Sequence, residues 1–518
     1  MDTHDTLNYN DSLHHSGDKD EKPFLKKEMV YIIDNNNSKD YTRNQLVFDS
    51  ISLSNNGKWS DYKNAYVSIP VVVKMVRSAN HETAAVASQA IKFKSGPVMV
   101  DSVIVELNNS TIVQQRKDIS AYASFKNHTT KSWNDVEING DTFNYYKPSS
   151  EDWTYSATEG MKGADNNTVV GLFKPVSADQ IGALTAVNVR NSGADYTATD
   201  TAGTVLSHYF HKDFRIKLSE LILFDQMPMI RGANFKITLT LNQCDIVSTY
   251  DVNGDLTSQV NTLKGGICPV LRGDVTAVGT AGAAVQAVTV ETVSVKVVKN
   301  GDGANSEHVK GQCRLYVPTY TMESNAEIKY LSAGVKKILY NDVFVTTVKG
   351  VKSNFQNLIS NSLSRMKRLI IVPTINKDAP TGAIYKFAPQ ESMFSSEPSV
   401  CSPCYITDFN VALSGSNVYS QGIQYKYESF LDELGGGKFG VDAGLTVGAS
   451  SSLISLKDYE SNFGYLVVDL SRRHGFDDNT PLSLEIKGNV ASPLALDLLI
   501  FVEFERDFEV DLTTGAII

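Results

Sequence analysis

Apolar residues recur at every second position in several segments of this chain, and this spacing is the strongest constraint on its fold. The C-terminal segment is the clearest case, with a series of one parity: Leu494, Leu496, Leu498, Ile500, Val502 and Phe504. A strand points alternate side chains to opposite faces of a sheet, so the series predicts a strand with one wholly apolar face. The other face mixes Asp497, Glu503 and Glu505 with Leu499 and Phe501, as in the wall of a β-sandwich.

The same alternation appears in both halves of the chain. It predicts strands over residues 67–75, 215–224, 237–241, 293–297 and 309–317, and over 338–349. Asn300-Gly-Asp-Gly303 is a hairpin turn signal between two of them. Helices are predicted only over residues 80–92 and 353–365, while residues 423–434 are compatible with a strand or a helix. The fold class is therefore all-β.

The 518 residues allow more than one domain. Residues 1–40 are polar and predict an N-terminal arm that is flexible or ordered by a neighbour. Residues 41–265 form the predicted first β domain, with a long insertion at about 127–205. Residues 266–288 are predicted to be a connector, and residues 289–518 the second β domain.

The formal net charge of −10 argues against general nucleic-acid binding, which depends mainly on Lys and Arg. Two small basic clusters occur, Arg365-Lys367-Arg368 and Arg472-Arg473. We interpret both as solvated or paired with carboxylates, with a nucleic-acid site as the alternative. The polar start of the chain has no apolar signal segment, so we expect a soluble protein that is made inside the cell without a signal peptide.

Two motifs have the spacing of metal ligands. Cys401 and Cys404 are spaced as half of a zinc or redox site, but no second cysteine pair completes a set of four ligands. His208 and His211 would approach one another on a helical turn, without an identifiable third ligand. Ordinary thiols and ordinary imidazoles are the simpler interpretations.

Residues 251–255, from Asp251 to Asp255, carry the first oxygen ligands of a calcium loop. The sixth position is Leu256 instead of Gly, and the twelfth is Thr262 instead of Glu. A polar turn is the favoured interpretation, and weak calcium binding between subunits is the alternative. No phosphate-binding loop or nucleophile elbow occurs, so we assign no catalytic, cofactor-binding or metal residue and predict a protein that is not an enzyme and has no cofactor.

Four segments resemble the double jelly-roll major capsid proteins of Polinton-like viruses, adintoviruses and virophages. Residues 48–73 resemble the first two strands of that family, and residues 87–115 the next piece, which turns at Asn108-Asn109. Residues 408–434 resemble a strand, glycine turn and tyrosine-rich segment of the second jelly roll. Residues 483–511 resemble its closing pair of strands.

The resemblance implies two tandem eight-stranded antiparallel jelly-roll sandwiches with few short helices and long loop insertions. It implies a major capsid protein whose pseudo-hexagonal homotrimers tile an icosahedral shell around a DNA genome. The implied partners are other copies of the chain, penton proteins and minor capsid proteins, without sequence-specific nucleic acid, and an internal membrane beneath the shell is compatible with it. The implied location is the virion capsid. A β-sandwich adhesin or receptor-binding spike is the alternative, and a glycan hydrolase a third hypothesis.

Overall fold

The structure, a computed structural model, describes the chain in a series of separate segments. They are residues 23–35, 45–77, 91–93, 97, 100–143, 153–156, 160–163, 172–173, 194–197, 206–241, 244–250, 256–261, 267–268, 290–297, 312–332, 334–375, 406–435, 454–461, 463–471, 480–490 and 495–517.

Eighteen of the described strands precede residue 323. They are β1 Phe24–Ile33, β2 Gln45–Asp49, β3 Trp59–Ser60, β4 Tyr66–Arg77, β5 Ile91–Phe93, β6 Val100–Leu107, β7 Ser110–Arg116, β8 Trp153–Ser156, β9 Gly160–Gly163, β10 Leu172–Phe173, β11 Ala194–Thr197, β12 Leu206–Lys217, β13 Phe235–Leu241, β14 Cys244–Tyr250, β15 Leu256–Asn261, β16 Ile267–Cys268, β17 Val290–Val297 and β18 Arg314–Met322.

The strands of the C-terminal part are fewer and longer. They are β19 Val335–Val351, β20 Ser353–Leu363, β21 Met366–Ile375, β22 Ile406–Leu413, β23 Ser416–Asn417, β24 Leu466–Asp469, β25 Leu482–Val490 and β26 Leu496–Asp511. The described helices are α1 Ile51–Ser54, α2 Ile119–Thr130, α3 Trp133–Phe143, α4 Ser324–Leu331, α5 Tyr427–Gly435 and α6 Leu456–Ser461. Short 3₁₀ turns span Leu218–Glu220 and Phe224–Gln226.

The first sandwich consists of sheets A and B. Sheet A has nine strands, in the order β1-β18-β4-β17-β14-β15, with β12 on β4, β11 on β12 and β3 on β18. Sheet B has the order β2-β13-β6-β7. Alternate residues of β4 and β13, such as Val67, Ile69, Ile237 and Leu239, are fully buried in the core, because one face of each sheet is turned to the other sheet.

The second sandwich consists of sheets C and D, each with four strands. Sheet C has the order β19-β26-β21-β24, and sheet D the order β20-β25-β22-β23. These eight antiparallel strands agree with the predicted eight-stranded sandwich. Two smaller sheets, β10-β5-β16 and β8-β9, complete the described pairing.

Several local predictions are confirmed. From Leu496 onward the apolar C-terminal series lies in β26, whereas Leu494 lies outside the described residues, and the predicted strand at 237–241 lies in β13. Asn108 and Asn109 both have positive φ, at 47° and 68°, and join β6 to β7 in a tight turn. Two positive φ values are what a two-residue hairpin of type I′ requires, and asparagine tolerates them.

Other local predictions are wrong. Residues 353–363 form strand β20 and not a helix, and the ambiguous segment 423–434 is largely helix α5. The strand expected at 215–224 ends at Lys217 and is followed by 3₁₀ turns. The predicted helix at 80–92, apart from two residues of β5, and the predicted turn at 300–303 lie outside the described residues.

The strand pairing also corrects the predicted division of the chain. β18 lies beyond the predicted connector at 266–288, yet it pairs with β1 and β4 of sheet A. The second sandwich therefore begins at β19. β1 lies within the predicted arm and is an integral strand of sheet A. The first residues of the predicted insertion at 127–205 are helical, in α2 and α3. Most of that insertion and of the connector lies outside the described residues.

Candidate assembly surfaces and the interface between the sandwiches

Helix α2 forms a layer between the two sandwiches. It packs on β6 of sheet B, and its Tyr122 and Phe125 rings meet Phe501 and Tyr465 of the second sandwich at centroid distances of 5.8 and 5.2 Å. Ten of its 12 residues are buried. A helix that is buried all round is an internal element, so α2 joins the two sandwiches into one packed body.

A buried carboxylate ties β7 of the first sandwich to β19 of the second. Asp342 is fully buried, and its Oδ1 accepts a 2.7 Å hydrogen bond from Nε of Arg116. Arg116 also donates through Nη2 to Oδ2, and Arg506 donates to the same oxygen at 3.2 Å. Nearby, the Tyr340 hydroxyl donates to the Ile112 carbonyl oxygen at 3.1 Å. Bidentate arginine pairing fixes direction as well as distance, so this cluster fixes the angle between the sandwiches.

A second buried carboxylate lies under α2. Glu503 of β26 is 1% exposed, accepts a hydrogen bond from the Tyr122 hydroxyl and lies 2.8 Å from Nε of Arg368. Burial, together with the negative charge of Glu503, holds the pKa of Tyr122 well above its usual value. The phenol therefore remains a hydrogen-bond donor at any physiological pH.

The end of α2 is held by aromatic side chains of the second sandwich. The buried His128 ring meets Phe463 edge-to-face at 5.2 Å, and its Nδ1 lies 3.4 Å from the Tyr465 hydroxyl oxygen. Such edge-to-face pairs add about 0.5–1.5 kcal/mol beyond the area that they bury. The contacts between α2 and the second sandwich therefore extend along the whole helix.

The segment that links the sandwiches is fixed to the first one. It contains α4, whose N-terminus is capped by the Glu323 carboxylate through the backbone N–H groups of Asn325 and Ala326. The Tyr330 hydroxyl donates to the Met229 carbonyl oxygen at 2.7 Å, and Glu327 pairs with Arg231. Capping and these contacts make the linker a rigid helix.

The C-terminal loop returns to the first sandwich through a close backbone approach. The Asn108 side chain donates to the Gly515 carbonyl oxygen at 2.6 Å, and the Arg231 N–H donates to the Leu512 carbonyl oxygen at 3.1 Å. A Cβ at Gly515 would lie 2.4 Å from Cα of Ala233, and Gly515 has a φ of +67°. Only glycine satisfies both conditions. With α2 and α4, this loop makes the third connection between the sandwiches.

The layers thus follow the order A, B, α2, C, D, which leaves the outer faces of sheets A and D turned away from the interface. On the outer face of sheet A, the strand register aligns Tyr31, Tyr316, Tyr66 and Lys217 across β1, β18, β4 and β12. The Tyr316 and Tyr66 rings stack at 4.9 Å, and Tyr31 lies 6.0 Å from Tyr316. We call these four residues the tyrosine row.

Cations lie over the tyrosine row. The guanidinium groups of Arg314 and Arg215 lie 4.8 and 5.6 Å from the ring centroids of Tyr31 and Tyr66. Lys217, at the end of the row, lies 4.4 Å from the ring centroid of Phe143 in α3. Burial lowers the pKa of Lys217, with Lys131 adding to the effect. Tyrosine and arginine are enriched in protein interfaces, so this face has the composition of a contact surface.

Strand β1 extends this face with apolar side chains. It pairs only with β18 among the described strands, which makes it an edge strand in that part of the chain. Its exposed apolar residues are Met29, Tyr31 and Ile33 on this face, at 50%, 52% and 39%, and Leu25 at a bulge, at 69%. A hydrophobic edge strand readily pairs with another chain, and a cluster of exposed apolar side chains commonly marks an interaction site.

The weighed metal motifs lie outside the residues whose side chains the structure describes. Cys401, Cys404 and residues 251–255 lie outside the described residues, and the strand β12 contains His208 and His211 without described side chains. Among the residues whose side chains are described, no group of three or more His, Cys, Asp or Glu is placed to hold a metal ion. The Cys313 side chain is buried. The cysteine pair and the loop at 251–255 remain predictions. The helical turn assumed for His208 and His211 is wrong, because both residues lie in strand β12, where positions three apart belong to opposite faces.

The basic cluster at 365–368 is paired with carboxylates, as its favoured interpretation predicted. Arg365 lies 3.1 Å from Asp507, Lys367 lies 2.6 Å from Glu505, and Arg368 pairs with Glu503. Arg472 and Arg473 lie outside the described residues. The interface carboxylates Asp342 and Glu503 were not singled out from the sequence. The sequence feature that could have identified them is a charged residue within an apolar strand. Glu503 is such a residue, on the mixed face of β26.

Within the described part of the chain, no helix has the length and apolar character needed to cross a membrane.

Comparison with known proteins is informative at the level of structure. No family model matches the sequence, and no curated protein matches it. A chain of the cryo-EM structure of the Sputnik virophage superposes with a TM-score of 0.53 at 11% identity, covering 96% of this chain and 89% of that one. The chain has a double jelly-roll fold.

Other viral proteins are similar at lower scores. The mavirus major capsid protein matches with a TM-score of 0.45 and 12% identity over 95% of this chain and 89% of its own. The Faustovirus major capsid protein matches with a TM-score of 0.45 and 11% identity over 95% and 92%. The match to the Sputnik virophage chain, together with the two sandwiches of the structure, confirms the resemblance stated from sequence for the fold.

Proposed function

We propose that this chain is the major capsid protein of a DNA virus, that it associates as a pseudo-hexagonal homotrimer, and that these trimers tile an icosahedral shell around the genome. The observation that carries the proposal is the rigid pair of stacked sandwiches, whose fold matches a chain of the Sputnik virophage structure over nearly the full length of both. Two similar sandwiches in each of three chains would give six similar bodies and hence a nearly hexagonal outline.

The interface between the sandwiches supports this role in physical terms. A shell tile must keep its shape under the load of its neighbours, so its domains cannot swing freely. Interfaces between domains of one chain usually allow relative motion unless they are large and apolar. In this chain the two sandwiches are joined by a buried helix, two buried carboxylate clusters and the C-terminal loop.

The proposal includes partners and a location. Copies of this chain would contact one another within and between trimers, and penton and minor capsid proteins would complete the shell. We propose no enzymatic activity and no sequence-specific contact with nucleic acid. An internal membrane beneath the shell is compatible with the proposal. The location is the virion capsid, after synthesis in the cytoplasm or nucleus of the host.

Light scattering on the purified, full-length protein tests the proposal. We expect a particle of three times the 56.7 kDa chain mass, and negative-stain images with a nearly hexagonal outline. A monomer that binds glycans on an array and forms neither trimers nor shells would contradict it and would favour the adhesin or receptor-binding spike.

A further inference from the structure

Strand β1 has one free edge in the part of the chain that the structure describes. It pairs with β18 between Phe24 and Ile33, and no described strand lies on its other side. The backbone N–H and C=O groups on that side need partners from water or from another strand. An extended segment can therefore add to β1 through backbone hydrogen bonds, with its specificity set by the side chains on alternate positions.

The outer face beside this edge combines apolar side chains with cations. Its β1 residues pair with β18 residues as Lys27 with Tyr320, Met29 with Pro318, Tyr31 with Tyr316, and Ile33 with Arg314. The Lys27 Nζ lies 5.4 Å from the ring centroid of Tyr320, and the Arg314 guanidinium 4.8 Å from that of Tyr31. These four pairs contain no carboxylate. The face therefore favours an added strand that presents apolar and acidic side chains.

The sequence before β1 contains a segment with this pattern. In residues 5–13, positions of one parity are apolar or acidic, namely Asp5, Leu7, Tyr9, Asp11 and Leu13. The positions between them are neutral and polar, namely Thr6, Asn8, Asn10 and Ser12. Alternation of this kind is typical of a strand with two different faces. Residues 1–18 contain four aspartates and no lysine or arginine, so their charge is opposite to that of Lys27 and Arg314.

We infer that residues 5–13 form an antiparallel strand on the free edge of β1 in the same chain. The apolar and acidic positions of this added strand lie on the outer face of sheet A. Its leucines and tyrosine cover Met29, Tyr31 and Ile33, and its aspartates lie near Lys27 and Arg314, as favourable pairs across neighbouring strands do. The inference goes beyond the proposed capsid role and does not depend on it.

The length of the chain before β1 fits a return onto its own edge. Nine residues of strand extend for about 30 Å, and the ten residues of β1 for about 33 Å. Residues 14–23 connect the two, and Ser16-Gly17-Asp18 among them are residue types that favour turns. A short covalent connection gives the segment an effective concentration on the order of millimolar at this edge. The same chain is therefore favoured over a second copy as the source of the strand.

Site-specific photo-crosslinking in the full-length protein tests the inference. The photoreactive amino acid p-benzoylphenylalanine replaces Met29, which is 50% exposed on the outer face of β1. After irradiation and digestion with pepsin, mass spectrometry should find a crosslink to residues 5–13. The product should keep the mobility of a single chain on a denaturing gel. The same amino acid at Leu358, which is 62% exposed on β20 of the second sandwich, is the matched control and should not label residues 5–13.

Three results would overturn the inference. One is the absence of any product, and another is a product that labels only β18 or another segment outside residues 5–13. The third is a crosslink to residues 5–13 found only in a covalent dimer band, because the strand would then come from a second copy. None of these results bears on the proposed capsid role, which light scattering on the protein tests separately.

A pair of double variants tests which face of the added strand meets β1. Leu7→Lys/Tyr9→Lys removes the apolar contacts and places cations beside Lys27 and Arg314, so we expect the crosslink yield to fall about tenfold. Asn8→Lys/Asn10→Lys introduces the same two lysines on the opposite face and should keep the yield within roughly twofold of the unmodified segment. Equal yields from the two double variants would contradict the alternation on which the inference rests.

Discussion

The buried interface between the sandwiches and the outer face of sheet A use charged residues in opposite ways. In the interface, Asp342 and Glu503 are almost completely buried, and each is paired with arginine. On the outer face, Arg215 and Arg314 lie over tyrosine rings without an acidic residue in their rows. A buried charge requires a partner within the fold, whereas a partly exposed cation on an aromatic ring can still form a contact with another chain.

The largest effect should come from a charge for which the core has no partner. Leu498 is 1% exposed on the face of β26 that is turned to sheet D. Leu498→Asp should abolish soluble, folded protein, because an unpaired carboxylate in a sandwich core costs several kcal/mol. Expression and circular dichroism measure this outcome. Leu358→Asp, at a leucine that is 62% exposed, is the matched control for folding. A soluble, folded Leu498→Asp protein would show that β26 is not a core strand.

Removing a paired charge from the interface should lower the free energy of unfolding by less than Leu498→Asp does, but still by several kcal/mol. Asp342→Ala leaves Arg116 near a buried site without its carboxylate, and we expect a loss of about 3–5 kcal/mol in the free energy of unfolding. Urea denaturation measures it. Asp507→Ala removes a carboxylate whose side chain is 32% exposed and bound to Lys337 and Arg365, and should cost less than about 1 kcal/mol. Equal losses would contradict the structural role of the interface cluster.

The hydroxyl of Tyr122 should contribute a smaller amount. Tyr122→Phe keeps the ring against Phe501 and removes the donor to Glu503. A hydrogen bond to a charged group is worth about 1.5–3 kcal/mol, and we expect a loss of this size in urea denaturation. Tyr419→Phe, which removes a 2.9 Å hydrogen bond to Glu433 within the second sandwich, is a control that does not affect the interface. A Tyr122→Phe protein as stable as the wild type would show that Glu503 is satisfied by Arg368 alone.

The pH dependence of stability tests Glu220, a carboxyl group whose oxygens are buried and whose charge the nearby lysines offset only in part. The carboxyl oxygens of Glu220 are buried without a hydrogen-bond partner among the described residues. Burial raises the Glu220 pKa to about 8, although Lys131 and Lys126 lower it in part. The folded protein therefore holds the Glu220 proton more tightly than the unfolded chain does. The stability that this proton contributes is complete below about pH 4.5 and is lost as the pH rises through 8.

Glu220→Gln removes this titration and keeps the shape of the side chain. We expect the variant and the wild type to have similar free energies of unfolding at pH 5, and the variant to be more stable by about 1–3 kcal/mol at pH 9. Urea denaturation at both pH values measures the difference, in which the titration of the other groups cancels. A difference that is the same at pH 5 and pH 9 would contradict the raised pKa.

The sequence predicted those strands whose signal is local. β26 and β13 follow from alternation within one segment, and the β6–β7 turn follows from two adjacent asparagines. The predicted helix at 353–365 failed because its apolar residues Phe355, Ile359 and Leu363 are four residues apart. That spacing places them on one face of a helix and also on one face of a strand. The strand places Leu358 outward, and it is 62% exposed.

Pairing between distant segments was not predictable from periodicity. Alternation shows that β18 is a strand, but not that its partners are β1 and β4, which are more than 200 residues earlier in the chain. For the same reason, the predicted boundary placed β18 in the second sandwich. The tyrosine row is invisible in the sequence, because Tyr31, Tyr66 and Tyr316 align only through the register of three strands. The Asp342 cluster was not predictable for the same reason, because it joins residues of both sandwiches that are far apart in the chain.

Cryo-electron microscopy of the purified assembly would show the order of the layers within each chain. We expect a threefold particle with six sandwich-shaped bodies, in which each chain contributes two bodies joined through a buried helix at α2. Density showing two sandwiches separated by solvent within one chain, or an assembly without threefold symmetry, would contradict it.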